Sequence, residues 1–264
     1  MSVRNDNMGL FKELYNYREL LKSNIKKEIR GKYKGSFLGV LWSFVNPLLT
    51  VLVYAIVFPY IMRIKTDNYL IFLIIGVIPW TFFTTVIMQG MITVRMNEGI
   101  IKKVYFPREI LPISVALSGL VNFFISSLII LIFCIFGGVG ISWHLVLLPL
   151  IALLQFIFSL GIVFACSAIN VYIKDTEYIV QFIINMLFYG TPILYTVELF
   201  PERLRWILYL NPMTHIISAY RDIFMYHRIP EVSSLGFITI VSLVVLFIGL
   251  GIFKKLEKGF AEQV

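Results

Sequence analysis

At 264 residues, the chain is 59% hydrophobic and only 14% charged, which excludes an ordinary soluble domain. Its apolar residues form blocks too long for the buried helices of a globular core, so we expect an all-α integral membrane protein. The formal net charge is +8, but the basic residues cluster beside the apolar blocks, where membrane topology and anionic headgroups explain them better than nucleic acid does. We therefore expect membrane lipids and no nucleic acid as partners.

Residues 1–36 are rich in lysine and arginine and are predicted to carry an amphipathic helix. Apolar residues recur at spacings of three and four from Leu10 to Ile29, which makes one face of a helix. A basic amphipathic helix that leads directly into a span is typical of an interfacial helix on the cytoplasmic leaflet. A solvated leader that only fixes orientation is the alternative.

Six apolar runs within residues 37–253 are predicted to be transmembrane helices, because roughly 20 apolar residues form a helix about 30 Å long. The runs cover about Phe37–Met62, Tyr69–Thr93, Ile110–Phe136, Leu145–Val171, Tyr178–Tyr195 and Gly236–Phe253. An even number of spans puts both termini on one side. Basic flanks at the amino-terminal segment, at Met96–Pro112 and at the tail 254–264 predict that this side is the cytoplasm. The turn with Arg63 and Lys65 would lie on the opposite side, so its positive charge argues weakly against this orientation.

The polar stretch Met96–Pro112 lies between two of the longest apolar runs. It mixes apolar and basic residues, and Pro107 ends a helix there because proline lacks a backbone donor. We predict a short helix over about 97–107 that lies across the membrane axis and docks on a soluble partner. A basic loop that only sets topology is an equally good alternative. The docking residues would be Glu98, Gly99, Ile100, Ile101, Lys102, Lys103, Val104, Tyr105, Phe106 and Pro107.

Between the fifth and sixth spans, residues 196–231 alternate charged residues with aromatic and aliphatic ones. Proline breaks at Pro201 and at Asn211-Pro212 divide this region into two short amphipathic pieces. We expect two short re-entrant helices that dip into the membrane from the outer side and meet at the Asn-Pro turn. A structured extramembrane loop is the alternative.

The sequence lacks the groups that several function classes need. No acidic or basic residue lies in the middle of a span, which argues against ion-coupled transport. No phosphate-binding loop motif is present, so we expect no ATP binding through that motif and no catalysis by this chain. Cys134 and Cys166 fall inside apolar runs and the histidines are scattered, so no metal site is predicted.

A family resemblance is carried by four segments in order. They are YKGSFLGVLWSFVNPLL at the first span, NEGIIKKVYFPREILP after the second, the Lys174-Asp175 break, and LNPMTHIISAYRDIFMYHRIP before the sixth. Over essentially the whole chain, the sequence resembles the membrane subunit of bacterial polysaccharide ABC exporters. That family moves lipid-linked O-antigen, capsular polysaccharide or teichoic acid. The Lys174-Asp175 pair departs from the aromatic-Arg-Asp run expected at this position.

The resemblance implies a homodimer in the bacterial inner membrane, paired with two copies of a separate ATPase that binds ATP and magnesium. The helix within Met96–Pro112 resembles the coupling helix that enters a cleft of that ATPase, and the amino-terminal helix resembles the interface helix. The two outer pieces resemble gate helices, with Pro201, Trp206, Asn211 and Pro212 at the gate. The first and fifth spans would line a continuous channel at the dimer interface.

As a mechanism, we expect ATP binding to push the coupling helices like rigid levers and to part the first and fifth spans. Bending would be localised near Pro79, Pro107 and Pro192. A linear glycan would thread between the spans, because sugars present C–H faces that stack on aromatic rings. The predicted channel-facing rings are Phe44, Tyr54, Phe188, Tyr189 and Tyr195. Contact with lipid or with the core is the alternative for each ring.

A basic entrance beside the first span would bind the pyrophosphate of a lipid carrier, since lysine and arginine pair well with phosphate oxygens. Ordinary contact with anionic lipids is the alternative. The entrance residues are Lys26, Lys27, Arg30, Lys32, Lys34, Leu38 and Gly39. Two other functions stay open: a permease for drugs or small lipids would have a closed, lipid-open cavity, and a membrane scaffold or channel would need no ATPase.

Overall fold

The computed structural model describes residues 12, 15–31, 37, 39–62 and 68–263. Within these ranges all regular structure is helical, and the predicted helical membrane class is confirmed. The α-helices are α1 (Arg18–Gly31), α2 (Trp42–Met62), α3 (Tyr69–Met96), α4 (Glu98–Ile101), α5 (Ile110–Phe136), α6 (Leu148–Tyr172), α7 (Thr176–Tyr189), α8 (Arg205–Tyr209), α9 (Pro212–Phe224), α10 (Val232–Leu256) and α11 (Phe260–Gln263).

Four helical segments among the described residues are long and apolar enough to cross a membrane. They are α3, α5, the stretch Trp143–Tyr172 that contains α6, and the stretch Val232–Gly259 that contains α10. The other two predicted spans correspond to shorter helices, α2 and α7. In α2 the apolar stretch is Val45–Phe58. Helix α7 has only 14 residues, or about 21 Å, and ends at Tyr189 because the following Gly-Thr-Pro sequence breaks it.

Helix α3 lies at the centre of the molecule, where α2, α5, α6, α7 and α9 all pack against it. In its most apolar window, 78% of the residues are buried. Glycines let neighbouring helices approach closely: a Cβ at Gly90 would meet Val163 Cγ1 of α6 at 2.5 Å. Helices α6 and α10 meet in the same way, since a Cβ at Gly161 would lie 2.6 Å from Leu246 N. Small residues therefore set the helix spacing in this bundle.

Helix α3 defines the two ends of the bundle. Helix α3 begins at Tyr69 and ends at Met96, and its 28 residues span about 42 Å. Helix α10 reaches the same end as Met96, because Lys254 in its last turn pairs with Glu109 just before α5. We call this end the coupling end. The opposite end, with Tyr69 and the start of α10, is the distal end.

The region between α7 and α10 contains α8, with five residues, and α9, with thirteen. Helix α9 falls in the second predicted re-entrant piece, and most of its residues are buried in the bundle. The Tyr220 hydroxyl of α9 donates to Gln155 Oε1 at 3.0 Å, and Gln155 Nε2 donates to the Pro79 carbonyl at 2.8 Å. A buried polar chain thus ties α9 to α6 and α3.

One predicted helix at the coupling end is shorter than expected. The helix predicted over 97–107 is confined to Glu98–Ile101. Residues 102–103 form a turn, and residues 104–107 have no regular secondary structure. Helix α1 lies within the predicted amphipathic region and packs against α5. Its partly buried side includes Leu20 and Leu21, which contact the apolar core.

Candidate functional site

The segment 97–107, here called the coupling segment, has a buried side and an exposed side. Ile101 and Phe106 are buried and fix the segment to the bundle, as does the buried Pro107. The exposed side consists of Glu98, Gly99, Ile100, Lys102, Lys103, Val104 and Tyr105. Apolar and charged side chains exposed on an anchored segment suit a docking surface for a soluble protein, because an interface combines an apolar core with a polar rim.

Asn97 holds the start of the coupling segment. Its Nδ2 donates to the Thr93 carbonyl at 2.7 Å, and its Oδ1 accepts a hydrogen bond from Lys27 Nζ at 3.1 Å. Lys27 belongs to α1 and was predicted at the entrance. Its contact joins the amino-terminal helix to the coupling segment.

Two ion pairs connect the flanks of the coupling segment to other helices. On one flank, Arg95 Nη1 at the end of α3 lies 2.6 Å from Glu177 Oε1 in the first turn of α7. Asn170 Nδ2 of α6 donates to the same carboxylate oxygen at 3.2 Å. On the other flank, the buried Glu109 pairs with Lys254 of α10. The flanks of the coupling segment are therefore held to α7 and α10 by ion pairs.

A cavity of about 500 Å³ lies between α2, α3 and α7, and we call it the wall cavity. Its lining residues are Thr50, Tyr54, Val77, Trp80, Thr81, Thr84, Met88, Gln181, Ile184, Asn185, Phe188 and Tyr189. The Phe188 ring is central to it: its centroid lies 5.9 Å from Tyr54, 5.7 Å from Trp80 and 5.3 Å from Tyr189. The cavity therefore combines an aromatic cluster with hydroxyl and amide groups.

Three of the five predicted channel rings meet at the wall cavity, namely Tyr54, Phe188 and Tyr189. Tyr195 lies beyond the end of α7, where its hydroxyl donates to the Tyr189 carbonyl at 2.8 Å and its ring stacks on Phe200. The side chain of Phe44 lies outside the described part of the structure.

Sequence reasoning missed the polar members of the wall cavity. Thr81 and Thr84 project from α3, and Gln181 and Asn185 project from α7. Their spacings of three and four place each pair on one face of its helix. That spacing is a detectable signal in otherwise apolar spans, but which two faces meet depends on how the helices pack.

The turn after α7 is clamped by Arg221 of α9. Its Nη1 donates to the Pro192 carbonyl at 2.6 Å and its Nη2 to the Ile193 carbonyl at 3.0 Å. The guanidinium carbon also lies 3.4 Å from the centre of the Phe72 ring in α3, a cation–π contact. Tyr69 adds a hydrogen bond to the Leu194 carbonyl at 2.8 Å. Helices α3 and α9 thus hold the break between α7 and α8.

The predicted gate residues occupy two different settings. Asn211 caps α9 by accepting from the Met213 amide at 3.0 Å, and Pro212 occupies the first turn, as the Asn-Pro sequence predicts. The same Asn211 donates to Thr191 Oγ1 at 2.8 Å, which ties the gate turn to the end of α7. Trp206 is exposed on α8, and Pro201 is exposed shortly before that helix.

The predicted entrance is described only in part. Lys26 and Arg30 are exposed on α1, and Gly39 has a φ of +50° at the start of the turn before α2. Lys32, Lys34 and Leu38 lie outside the described residues. As for metals, the described part of the chain contains no group of three or more histidine, cysteine or carboxylate side chains that could hold an ion.

The model of the ABC-2 type transporter family matches residues 19–225. The chain belongs to this family. The permease is 36% identical to the O-antigen export system permease protein RfbA of Myxococcus xanthus, over 97% of this chain and 99% of that protein. It is 35% identical to RfbA of Klebsiella pneumoniae, over 92% and 94%. It is 25% identical to the polysialic acid transport protein KpsM of Escherichia coli, over 88% and 92%.

The family match covers the coupling segment, the wall cavity and the Arg221 clamp. The predicted family is therefore confirmed. The permease is a multi-pass membrane component of an ABC transporter.

Proposed function

We propose that the chain is the permease subunit of an ABC exporter that moves a lipid-linked polysaccharide, of the O-antigen or teichoic acid kind, across the bacterial cytoplasmic membrane. The observation that carries this proposal is the wall cavity, where four aromatic rings stand beside hydroxyl and amide groups. Sugars need both, since their C–H faces stack on rings and their hydroxyls need donors and acceptors. The relatives named for O-antigen and polysialic acid transport support the same substrate class.

In this proposal the chain crosses the membrane six times, with both termini in the cytoplasm. Helices α2 and α7 supply the two spans that are shorter than the others. The tail and α1 lie at the coupling end, together with the coupling segment. The basic residues at that end support this orientation, because positive charge is enriched in cytoplasmic loops. The α8–α9 region then forms an outer gate.

The working unit is a homodimer with two copies of a separate ATPase. The exposure of helix α7 is an argument for the homodimer, because only Thr176 and Ile184 are buried along this helix. Its exposed apolar side chains include Ile179, Phe182 and Met186. An apolar face that also borders an aromatic and polar cavity is suited to meet a second copy across a shared channel.

Force from the ATPase reaches the channel in three steps. Nucleotide-driven closure displaces the exposed side of the coupling segment, with Lys102, Lys103 and Tyr105 as contacts. The Arg95–Glu177 pair transmits that displacement from the end of α3 to the start of α7. Because Phe188 and Tyr189 lie on the same helix as Glu177, a tilt of α7 changes the width of the wall cavity.

The experiment that tests this function uses cells in which the gene for this chain is deleted and then restored on a plasmid. We expect deletion to remove the surface glycan and to leave its lipid-linked form inside the cell, measured by glycan staining and by lipid extraction. Restoration should reverse both effects. A deletion strain with a normal surface glycan that has lost export of a drug or small lipid would support the other class of permease instead.

A further inference from the structure

A second cavity, here called the distal pocket, lies at the distal end and belongs to neither the wall cavity nor the coupling segment. Its volume is about 500 Å³, within the usual range for small-molecule sites of roughly 300–1,000 Å³. The pocket is formed by the residues after α7, by α9 and by the start of α10. Its polar lining includes Glu198, Tyr209, His215, Arg221, Asp222, Tyr226, Arg228, Glu231 and Ser234.

Arg221 shows that this pocket is suited to a polar ligand. The residue is only 5% exposed, and both terminal nitrogens of its guanidinium donate to carbonyls of the clamped turn. Its Nε, however, has no hydrogen-bond partner among the described residues. A buried donor that lacks a partner is costly, so the hydrogen-bonding capacity of the guanidinium on this side of the pocket is not fully used.

The charges around the pocket select against an anion. Two guanidinium groups, Arg221 and Arg228, face three carboxyl groups, Glu198, Asp222 and Glu231. Arg228 Nε is already engaged by Asp222 Oδ1 at 2.6 Å. Burial raises the pKa of the Asp222 carboxyl, and the pairing with Arg228 opposes that rise. A phosphate or pyrophosphate entering this pocket would meet more negative than positive charge.

The remaining groups match a neutral polyol. Tyr209 and Tyr226 are exposed aromatic residues at the pocket, and aromatic rings pack against the apolar faces of a ligand. His215 is fixed by Ser234 at 3.1 Å and by the Tyr209 carbonyl at 2.8 Å. Each carboxylate can accept about four hydrogen bonds, so Glu198 and Glu231 can receive several hydroxyl groups.

We infer that the distal pocket binds one or two neutral sugar units of the exported glycan, which rests on the function proposed above. Its position supports this assignment. Tyr189 lines the wall cavity, Glu198 lines the distal pocket, and the turn that Arg221 clamps lies between them. In this proposal a glycan that leaves the channel past Tyr189 meets the distal pocket next, at the end opposite the ATPase. The pocket would hold the emerging chain and oppose its return.

The test uses the full permease–ATPase complex in lipid nanodiscs. The probes are di- and trisaccharides cut from the host cell's own surface glycan after mild acid has removed the lipid, and inorganic pyrophosphate as the anionic probe. Binding is measured by saturation-transfer NMR and by competition. The variants are Tyr226→Ala, Tyr226→Phe and Glu231→Gln, all at exposed positions where loss of folding is not expected. Trp143→Ala is the matched control, since Trp143 is exposed at the distal end but lies outside the pocket.

We expect the oligosaccharides to bind the wild-type complex, and Tyr226→Ala and Glu231→Gln to weaken binding roughly tenfold. Tyr226→Phe should keep most of the affinity because it retains the ring, and Trp143→Ala should keep all of it. Equal binding by wild type and by both weakening variants would overturn the assignment, as would pyrophosphate binding that those variants abolish. Failure of the proposed function is a separate result: the deletion strain would then keep its surface glycan.

Discussion

Arg95 and Glu177 form an ion pair of 2.6 Å between the last turn of α3 and the first turn of α7. Asn170 of α6 donates to the same carboxylate, so three helices meet at one oxygen of Glu177. Arg95 lies two residues before the coupling segment in sequence, and Glu177 is in the first turn of the helix that carries Phe188 and Tyr189 of the wall cavity. The pair therefore connects the end of α3, beside the coupling segment, to the helix that carries these cavity residues.

The first prediction concerns this pair. Arg95→Ala or Glu177→Ala should lower glycan export by roughly fivefold or more, the usual scale of coupling between sites, while ATP hydrolysis by the partner continues. The reason is that α7 no longer follows the end of α3. Export and ATP hydrolysis are measured together in proteoliposomes. The double variant with exchanged charges, Arg95→Glu with Glu177→Arg, should recover part of the export. If the two single variants lose hydrolysis and export to the same degree, the pair does not transmit movement.

The second prediction concerns the exposed side of the coupling segment. Replacing Lys102, Lys103 and Tyr105 together with alanine should abolish export and weaken co-purification of the ATPase, because these exposed side chains are expected to dock on it. The thermal stability of the purified permease should change little, since the buried anchors are untouched. Lys255→Ala is a suitable control, as Lys255 is an exposed basic residue at the same end. Normal export by the triple variant would contradict the docking role.

Much of the architecture was predictable from the sequence. Long apolar runs predict membrane helices regardless of their neighbours. Proline limits a helix by local chemistry at Pro212, in the first turn of α9, whereas the helix predicted to end at Pro107 already ends at Ile101. The burial of α9 was not predictable in that way. Arg221 appears in a charged, amphipathic stretch, yet it is buried because the break after α7 exposes the carbonyls of Pro192 and Ile193 to it. Such partners are distant in sequence and are brought together only by packing.

The third prediction tests the polar side of the wall cavity. Gln181→Leu and Asn185→Leu should each reduce export by roughly fivefold, because the cavity loses an amide that can both donate and accept hydrogen bonds to a sugar. Transport is measured as uptake of lipid-linked glycan into inverted vesicles. Ile183→Leu is the control: Ile183 is exposed on the same helix but does not line the cavity. Export that is unchanged in both amide variants would place the glycan path elsewhere.

The fourth prediction concerns the Arg221 clamp and is a matter of stability. Arg221→Met should lower the free energy of unfolding by about 3 kcal/mol or more, because two buried carbonyls lose their donors. Arg228→Met should cost only about 1 kcal/mol or less, since the Arg228 side chain is mostly exposed. Thermal unfolding of the detergent-solubilised permease measures both. Arg221→Lys keeps the charge but not the two-pronged geometry, so its melting temperature should fall between those of wild type and Arg221→Met. Equal melting temperatures for Arg221→Met and Arg228→Met would show that the turn after α7 is held by other contacts.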